Sequence, residues 1–118
     1  MKCRSDNILL YDILECCQRI ASYIEGVSKG AFEQNFLLQD GLVRKLEIIG
    51  EAAKGLSDDL REANPDVPWR KMMGIRDRII HQYFRVDLDI IWQTVKNDMP
   101  ELERLITPIY DKLASDQS

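Results

Sequence analysis

The sequence has few of the residues that disulfide scaffolds and metal sites require. It contains three cysteines, Cys3, Cys16 and Cys17, and a single histidine, His81. An odd number of cysteines, two of them adjacent, gives no disulfide framework, so we interpret Cys16 and Cys17 as ordinary helix residues in a reducing compartment. Because a zinc site needs about four ligands and one histidine is available to join the cysteines, we predict no metal and no cofactor.

Long apolar runs are also absent. The longest span only a few residues, as at positions 8–10 and 36–38, and no signal-type apolar region follows residues 1–6. With 118 residues, of which 45% are hydrophobic and 31% charged, the chain has the balance of one globular domain spanning residues 1–118. We therefore expect a cytoplasmic protein with no membrane partner.

Excess positive charge is the third absence. The net charge of −4 argues against a protein that coats nucleic acid, and no DNA partner is expected. The charge balance reverses between positions 70 and 85, where the only acidic residue is Asp77. The five basic residues there are Arg70, Lys71, Arg76, Arg78 and Arg85. Such a cluster is either a solvated face or a phosphate site.

Helical periodicity dominates what is present. Apolar spacing predicts a first helix over residues 6–27, with Gly30 as the break after it. A second helix is predicted through Leu42, Leu46, Ile49, Ala53 and Leu56, and residues 32–39 are either its first turns or a separate short helix. Pro68 suits the first position of a third helix, which we expect to run to about Tyr83.

A last helix is predicted from an N-cap at Asp87, with Leu88, Ile91, Val95, Leu102, Ile106, Ile109 and Leu113 on its core face. Pro100 interrupts it, but the apolar register continues, so we favour one kinked helix over a new start at residues 98–101. No segment alternates like a strand. The predicted fold class is all-α, an antiparallel bundle of about four long helices with short extras.

The predicted third helix breaks the apolar pattern. Its apolar stripe comprises Trp69, Met72, Met73, Ile79, Ile80 and Tyr83, and Arg76 falls at the centre of that stripe. An arginine there is costly unless it is paired, lies at an interface or lines a cleft; a structural salt bridge is the alternative to a functional role. Asp77 and His81 are four residues apart, and a carboxylate beside an imidazole suits acid–base chemistry, although a lone histidine is often a surface residue.

An ideal helix would place His81 about 140° around from Arg76, so both could not face one phosphate. Three arrangements would resolve this. The helix loosens before His81, the long arginine side chain wraps round, or two copies of the helix combine across a dimer.

The segment Arg76-Asp77-Arg78-Ile79-Ile80-His81-Gln82-Tyr83 resembles the active-site motif of the HepT-like family of HEPN-domain ribonucleases, an arginine and a histidine separated by four residues with a tyrosine two positions later. The resemblance covers nearly the whole chain and includes Asp12-Ile13-Leu14, Leu46-Glu47-Ile48-Ile49-Gly50-Glu51-Ala52-Ala53-Lys54, Pro68-Trp69, Val86-Asp87-Leu88 and Ile91-Trp92.

This resemblance implies a homodimeric, HEPN-like helical bundle that cleaves RNA without metal, as the toxin of a type VII-like toxin–antitoxin pair. The implied partner is a small nucleotidyltransferase antitoxin that adenylylates Tyr83. In such a site His81 would act as general acid or base, Arg76 would stabilise the phosphate in the transition state, and Asp77 would orient His81. Arg70, Arg78 and Tyr83 would contact the substrate.

Two other functions are compatible with the pattern. The overall acidity favours a non-catalytic helical module that serves a partner nucleotidyltransferase. A purely structural four-helix protein would leave Arg76 unexplained. We interpret Glu47 and Glu51, four residues apart on the second helix, as solvent-facing or salt-bridged rather than catalytic.

Overall fold

The computed structural model describes residues 5–80 and 86–116, and the secondary structure of these ranges is helical apart from one isolated antiparallel bridge between Ile80 and Val86. The predicted all-α class is confirmed. No helix within these ranges is long and apolar enough to cross a membrane. The helices are α1 (Asp6–Ile24), α2 (Lys29–Glu33), α3 (Phe36–Gly55), α4 (Asp58–Ala63), α5 (Trp69–Met73), α6 (Ile75–Ile79), α7 (Leu88–Gln93) and α8 (Met99–Asp116), with a π-helical turn, Thr94–Asp98, joining α7 to α8.

The first helix ends earlier than its apolar spacing predicts. Gly26 has a φ of 71°, a left-handed conformation that glycine adopts without strain, and α1 stops at Ile24 just before it. The predicted break at Gly30 is therefore wrong, because Gly30 lies inside α2. Val27 continues the spacing but lies outside the helix.

The interpretation of the two α1 cysteines as ordinary helix residues is confirmed. Cys16 and Cys17 are both buried and unbridged. Burial raises the pKa of the Cys16 thiol, and it raises that of Cys17 to about 12. Thiols in this environment are inert packing residues.

The second predicted helix is α3. Its predicted core positions Leu42, Leu46, Ile49 and Ala53 are buried. The side chain of Asn35 caps its start by accepting a hydrogen bond from the Leu38 amide at 3.0 Å. The alternatives for residues 32–39 both hold in part, because Phe32 belongs to α2 and residues 36–39 form the first turn of α3.

Three long helical stretches form the frame of the bundle. α1 and α3 are antiparallel, since Gly41 near the start of α3 lies by Tyr23, and Gly55 at its end lies by Leu9. α8 returns along the other side of α1, where the rings of Tyr11 and Tyr110 are 6.2 Å apart. The core of this frame includes Leu10, Ile13, Ile20, Leu42, Leu46, Ile49 and Ile106, each fully buried.

The predicted third long helix is wrong in extent. Pro68 lies at the N-cap, one position before the predicted first position. The helix breaks at Gly74 into α5 and α6 and ends at Ile79, and Ile80 is extended with φ −110° and ψ 119°. The amide of Asp87 donates to the Ile79 carbonyl at 2.8 Å, and Ile80 bridges to Val86, so hydrogen bonds that would continue the helix go to the returning chain. Tyr83, its predicted end, lies outside the described residues.

The predicted last helix is continuous. Asp87 caps it as expected, by accepting from the Ile90 amide at 3.0 Å. Helical backbone then runs unbroken from Leu88 to Asp116. The π turn before Pro100 widens the backbone where the proline ring would otherwise press on the preceding turn, which accounts for the tolerance of proline there.

Candidate active site

The basic part of the chain is positioned by a close approach between α3 and the break between α5 and α6. A Cβ atom added to Gly50 of α3 would lie 3.1 Å from the Met72 carbonyl oxygen and 3.2 Å from Cγ2 of Ile75. Only a residue without a side chain leaves room for this contact. Gly50 therefore sets the distance between α3 and the residues that follow Gly74.

Arg76 lies on α6 and points away from the core. Its side chain is 54% exposed, whereas its neighbour Ile75 is buried. The prediction that Arg76 sits at the centre of the apolar stripe is wrong, because the break at Gly74 shifts the helical register and turns Ile75 inward instead. The arginine is therefore on the surface of the bundle.

Glu47 of α3 holds this arginine. The Arg76 Nε donates to Glu47 Oε2 at 3.2 Å, and the glutamate side chain is only 28% exposed. Among the described residues Glu47 is the partner of the guanidinium, and it engages one edge of the group. An arginine has five N–H donors in a planar fork, so a phosphate can still be bound by the outer edge.

The remaining basic residues of this region have different surroundings. Arg70 is exposed on α5, and Asp77 is exposed on α6. Lys71 pairs with Asp98 of the π turn at 3.2 Å. Arg78 is half-buried, and its Nη1 atom is buried without a hydrogen-bond partner among the described residues. Of the predicted substrate-binding residues that the structure describes, Arg70 is thus exposed and Arg78 faces inward.

His81 and Tyr83 lie outside the described residues, and so does Arg85. The chain on either side is fixed, because Ile80 and Val86 form a bridge. Of the three arrangements considered for Arg76 and His81, the structure shows a helix that ends before His81. The helical spacing that linked Asp77 to His81 stops at Ile79, so their contact stays a prediction.

Glu47 and Glu51 are both salt-bridged, as the sequence analysis expects, but the sequence pattern does not indicate that the partner of Glu47 is Arg76. Glu47 and Glu51 look equivalent in sequence, but Glu51 is exposed and lies 3.7 Å from Lys54 on its own helix. The signal that distinguishes them is Gly50, which brings the Glu47 side of α3 against α6. No group of three or more potential metal ligands occurs among residues 5–80 and 86–116.

These features define a class: an all-helical domain that presents an arginine, braced by a glutamate, on a short helix just before a histidine. Comparison with known proteins narrows the class. The family described as "Ribonuclease HepT-like" matches residues 13–109. No solved structure matches the chain.

Curated relatives agree with this match. The chain is 39% identical to "Probable ribonuclease HepT" of Thermococcus cleftensis, over 85% of this chain and 91% of that protein. It is 41% identical to "Putative RNase TTE0752" of Caldanaerobacter subterraneus, over 87% and 92%. It is 36% identical to "Putative RNase MJ1380" of Methanocaldococcus jannaschii, over 88% and 95%. The chain belongs to the HepT-like ribonuclease family, and this membership supports a ribonuclease function.

Proposed function

We propose that the protein is a metal-independent endoribonuclease in which Arg76 and His81 act on one phosphodiester of RNA. The observation that carries the proposal is the geometry of Arg76, which is half-exposed and braced at Nε by Glu47 in a chain of a ribonuclease family. A surface arginine held at one edge presents its other edge to an incoming phosphate.

The chemistry needs a proton acceptor, a cation and a proton donor. The 2′-hydroxyl attacks the adjacent phosphorus, its proton passes to a base, and the 5′-oxygen of the next nucleotide leaves with a proton from an acid, giving a 2′,3′-cyclic phosphate. His81 supplies the acid–base function and Arg76 stabilises the charge that builds on the phosphoryl oxygens. Asp77 orients His81, and Arg70 steers the backbone.

Cleavage of a fluorescent RNA oligonucleotide by the purified protein tests the proposal. His81→Ala is expected to reduce the rate by ~10²–10⁴, the usual loss for one acid–base group, without changing the unfolding midpoint. Activity should persist in excess chelator. Loss of activity on chelation, followed by recovery with added metal, would contradict the mechanism.

We further propose that the active form is a homodimer in which the two chains share a cleft. Arg70 and Arg76 are both exposed, so a second copy of the chain can reach them and complete the site. Sedimentation should show a dimer at micromolar concentration. Mixing an Arg76→Ala chain with a His81→Ala chain should restore cleavage if each site takes its arginine and histidine from different chains. A strictly monomeric protein with full activity would exclude the shared cleft.

The biological setting we propose is the toxin of a type VII-like toxin–antitoxin pair, neutralised when a small nucleotidyltransferase adenylylates Tyr83. The family resemblance supports this proposal. A bulky adenylyl group carries a phosphate that would compete with RNA for Arg76. Intact mass after co-expression should rise by one or more adenylyl groups in the wild type and in the matched control Tyr23→Phe. It should not rise in Tyr83→Phe.

A non-catalytic module for the nucleotidyltransferase is the second candidate, favoured by the net charge of −4. The two candidates differ in one measurement. A folded dimer that binds the partner but leaves RNA intact at all concentrations would establish the module.

A further inference from the structure

One cavity is lined by Ile75 and Arg78 of α6 but not by Arg76 or Glu47 of the site described above. It lies between α5, α6 and the π turn with the start of α8, it is partly open to solvent, and its volume is about 180 Å³. Its walls are mainly apolar and include Met72, Ile75, Leu102 and Leu105. Arg78 and Thr94 also line it.

Two hydrogen-bond donors in this cavity have no partner in the part of the chain that the structure describes. Thr94 is 1% exposed, and its Oγ1 forms no hydrogen bond. The Nη1 atom of Arg78 is likewise buried and without a partner. A buried donor without an acceptor is costly, and an unpaired arginine nitrogen more so, so natural structures rarely keep either without a reason.

The two threonines of the chain differ in this respect. Thr107 of α8 shows the usual arrangement, in which the hydroxyl donates to the carbonyl four residues earlier, here Glu103, at 2.7 Å. Thr94 is the first residue of the π turn, and its hydroxyl forms no such bond to a described residue. Single π turns inside α-helices are frequent at functional sites, and this one begins at the cavity wall.

The acids at the cavity edge do not satisfy these donors. Asp98 pairs with Lys71 at 3.2 Å, and Glu101 pairs with Arg104. The cavity therefore combines apolar walls with two hydrogen-bond donors that a ligand could satisfy by supplying an acceptor.

We propose that this cavity binds the base of a pyrimidine nucleotide in the RNA strand whose phosphate Arg76 holds. The inference rests on the proposed ribonuclease function. A cavity of about 150 Å³ is known to accept benzene, so about 180 Å³ accommodates a single six-membered ring, whereas the second ring of a purine would project through the open side of the cavity into solvent. A pyrimidine carbonyl oxygen would accept from Arg78 Nη1 and Thr94 Oγ1, and the ring would pack between the apolar walls, as unstacked RNA bases do in protein pockets.

The position of Arg78 relative to Arg76 fits one substrate. The two arginines are two residues apart on α6 and therefore point to opposite sides of a helix that is about 10–12 Å across with its side chains. A strand that crosses α6 can place a phosphate on Arg76 and insert a base from further along the same strand beside Arg78.

Methyl-detected NMR on the full chain tests the cavity directly, because Met72, Ile75 and Leu102 report on its walls. Titration with uridine 3′-monophosphate should shift these methyl signals and leave Ile13, in the core of the frame, unchanged. Adenosine 3′-monophosphate and inorganic phosphate should not shift them. Equal shifts with the adenine nucleotide or with phosphate alone would overturn the proposal, and so would the absence of shifts with the uridine nucleotide.

Two conservative variants remove the donors while keeping the shape. Thr94→Val and Arg78→Met should each weaken uridine nucleotide binding roughly three- to tenfold, the range expected for one hydrogen bond. Thr94→Val should leave the unfolding midpoint unchanged or raise it, because the buried hydroxyl it removes has no partner. The matched controls Thr107→Val and Arg19→Met should bind like wild type. Unchanged binding in both donor variants would overturn the proposal.

Cleavage products separate this inference from the proposed function. Preferred cleavage beside pyrimidines in wild type, with the preference lost in Thr94→Val, supports the subsite. RNA cleavage without any base preference would overturn the proposed pyrimidine site but would still support the proposed ribonuclease function. Uridine-specific methyl shifts in a protein that cleaves no RNA support a pyrimidine site and overturn the proposed ribonuclease.

Discussion

The long helices of the frame and the short basic segment of residues 70–80 follow different rules. α1, α3 and α8 bury a continuous apolar face, and substitutions there act on a shared core. The basic segment has one glycine break and two short helices, and its charged side chains are exposed, paired with α3 or with the π turn, or turned toward a cavity. Apolar burial determines the frame, whereas a few polar contacts and one close backbone approach determine the segment.

The largest expected effect comes from a charge in the segment. Arg76→Met keeps the length of the side chain but removes the guanidinium, and it should lower RNA cleavage by ~10²–10³, as loss of one group that stabilises transition-state charge typically does. The free energy of unfolding should change by less than about 1 kcal/mol, because the lost ion pair is half-exposed.

Ile49→Ala in the frame should affect stability rather than catalysis, the opposite of Arg76→Met. Ile49 is fully buried, and its truncation should cost about 2–5 kcal/mol in the free energy of unfolding. Chemical denaturation and a single-turnover cleavage assay on both variants would make the comparison. A large stability loss in Arg76→Met would show that the arginine belongs to the frame.

Periodicity predicts the frame well because each long helix carries many apolar residues in one register. The spacing correctly predicts the burial of Ile13, Ile20, Leu46 and Ile49. An error in a helix end, such as predicting the break at Gly30 when it lies at Gly26, does not change which residues of that helix are buried.

The site is less predictable because its short helices depend on tertiary contacts. The motif identifies Arg76 from sequence, but the orientation of that residue changes with a single break at Gly74. Its bracing by Glu47 depends on a contact 29 positions away in the chain, for which apolar spacing gives no signal. Thr94 begins a π turn, which sequence periodicity does not reveal.

The next effect in size tests how α3 holds the segment, through two glycines of the same helix. At Gly41 an added Cβ would meet Tyr23 at an ordinary 3.8 Å, so Gly41→Ala should raise the free energy of unfolding by about 0.5–1 kcal/mol through helix propensity. At Gly50 the added Cβ would press on the Met72 carbonyl, and overpacking of about 1–3 kcal/mol should outweigh that gain.

Thermal or chemical unfolding of the two variants measures the difference. Gly50→Ala should also reduce RNA cleavage, because α6 must move away from Glu47, whereas Gly41→Ala should cleave like wild type. Stabilisation by both substitutions would show that the α5–α6 break yields easily and that Gly50 does not set the position of Arg76.

The smallest expected effect concerns the two glutamates of α3 and distinguishes positioning from simple charge. Glu47→Gln keeps the shape and an acceptor oxygen but removes the charge that holds Arg76 Nε, whereas Glu51→Gln removes an exposed charge that faces Lys54. Hydrogen bonds to charged groups contribute about 1.5–3 kcal/mol when well formed, and the 54% exposure of Arg76 reduces that value. We therefore expect a roughly three- to tenfold lower kcat in Glu47→Gln with an unchanged unfolding midpoint, and wild-type kinetics in Glu51→Gln. The loss should appear in kcat more than in KM, since a misplaced guanidinium still attracts RNA but meets the transition-state charge less well. Glu47→Asp, which restores the charge one methylene short, should recover part of the rate. A faster enzyme after Glu47→Gln would mean that the glutamate competes with the phosphate for Arg76 and restrains the site instead of aligning it.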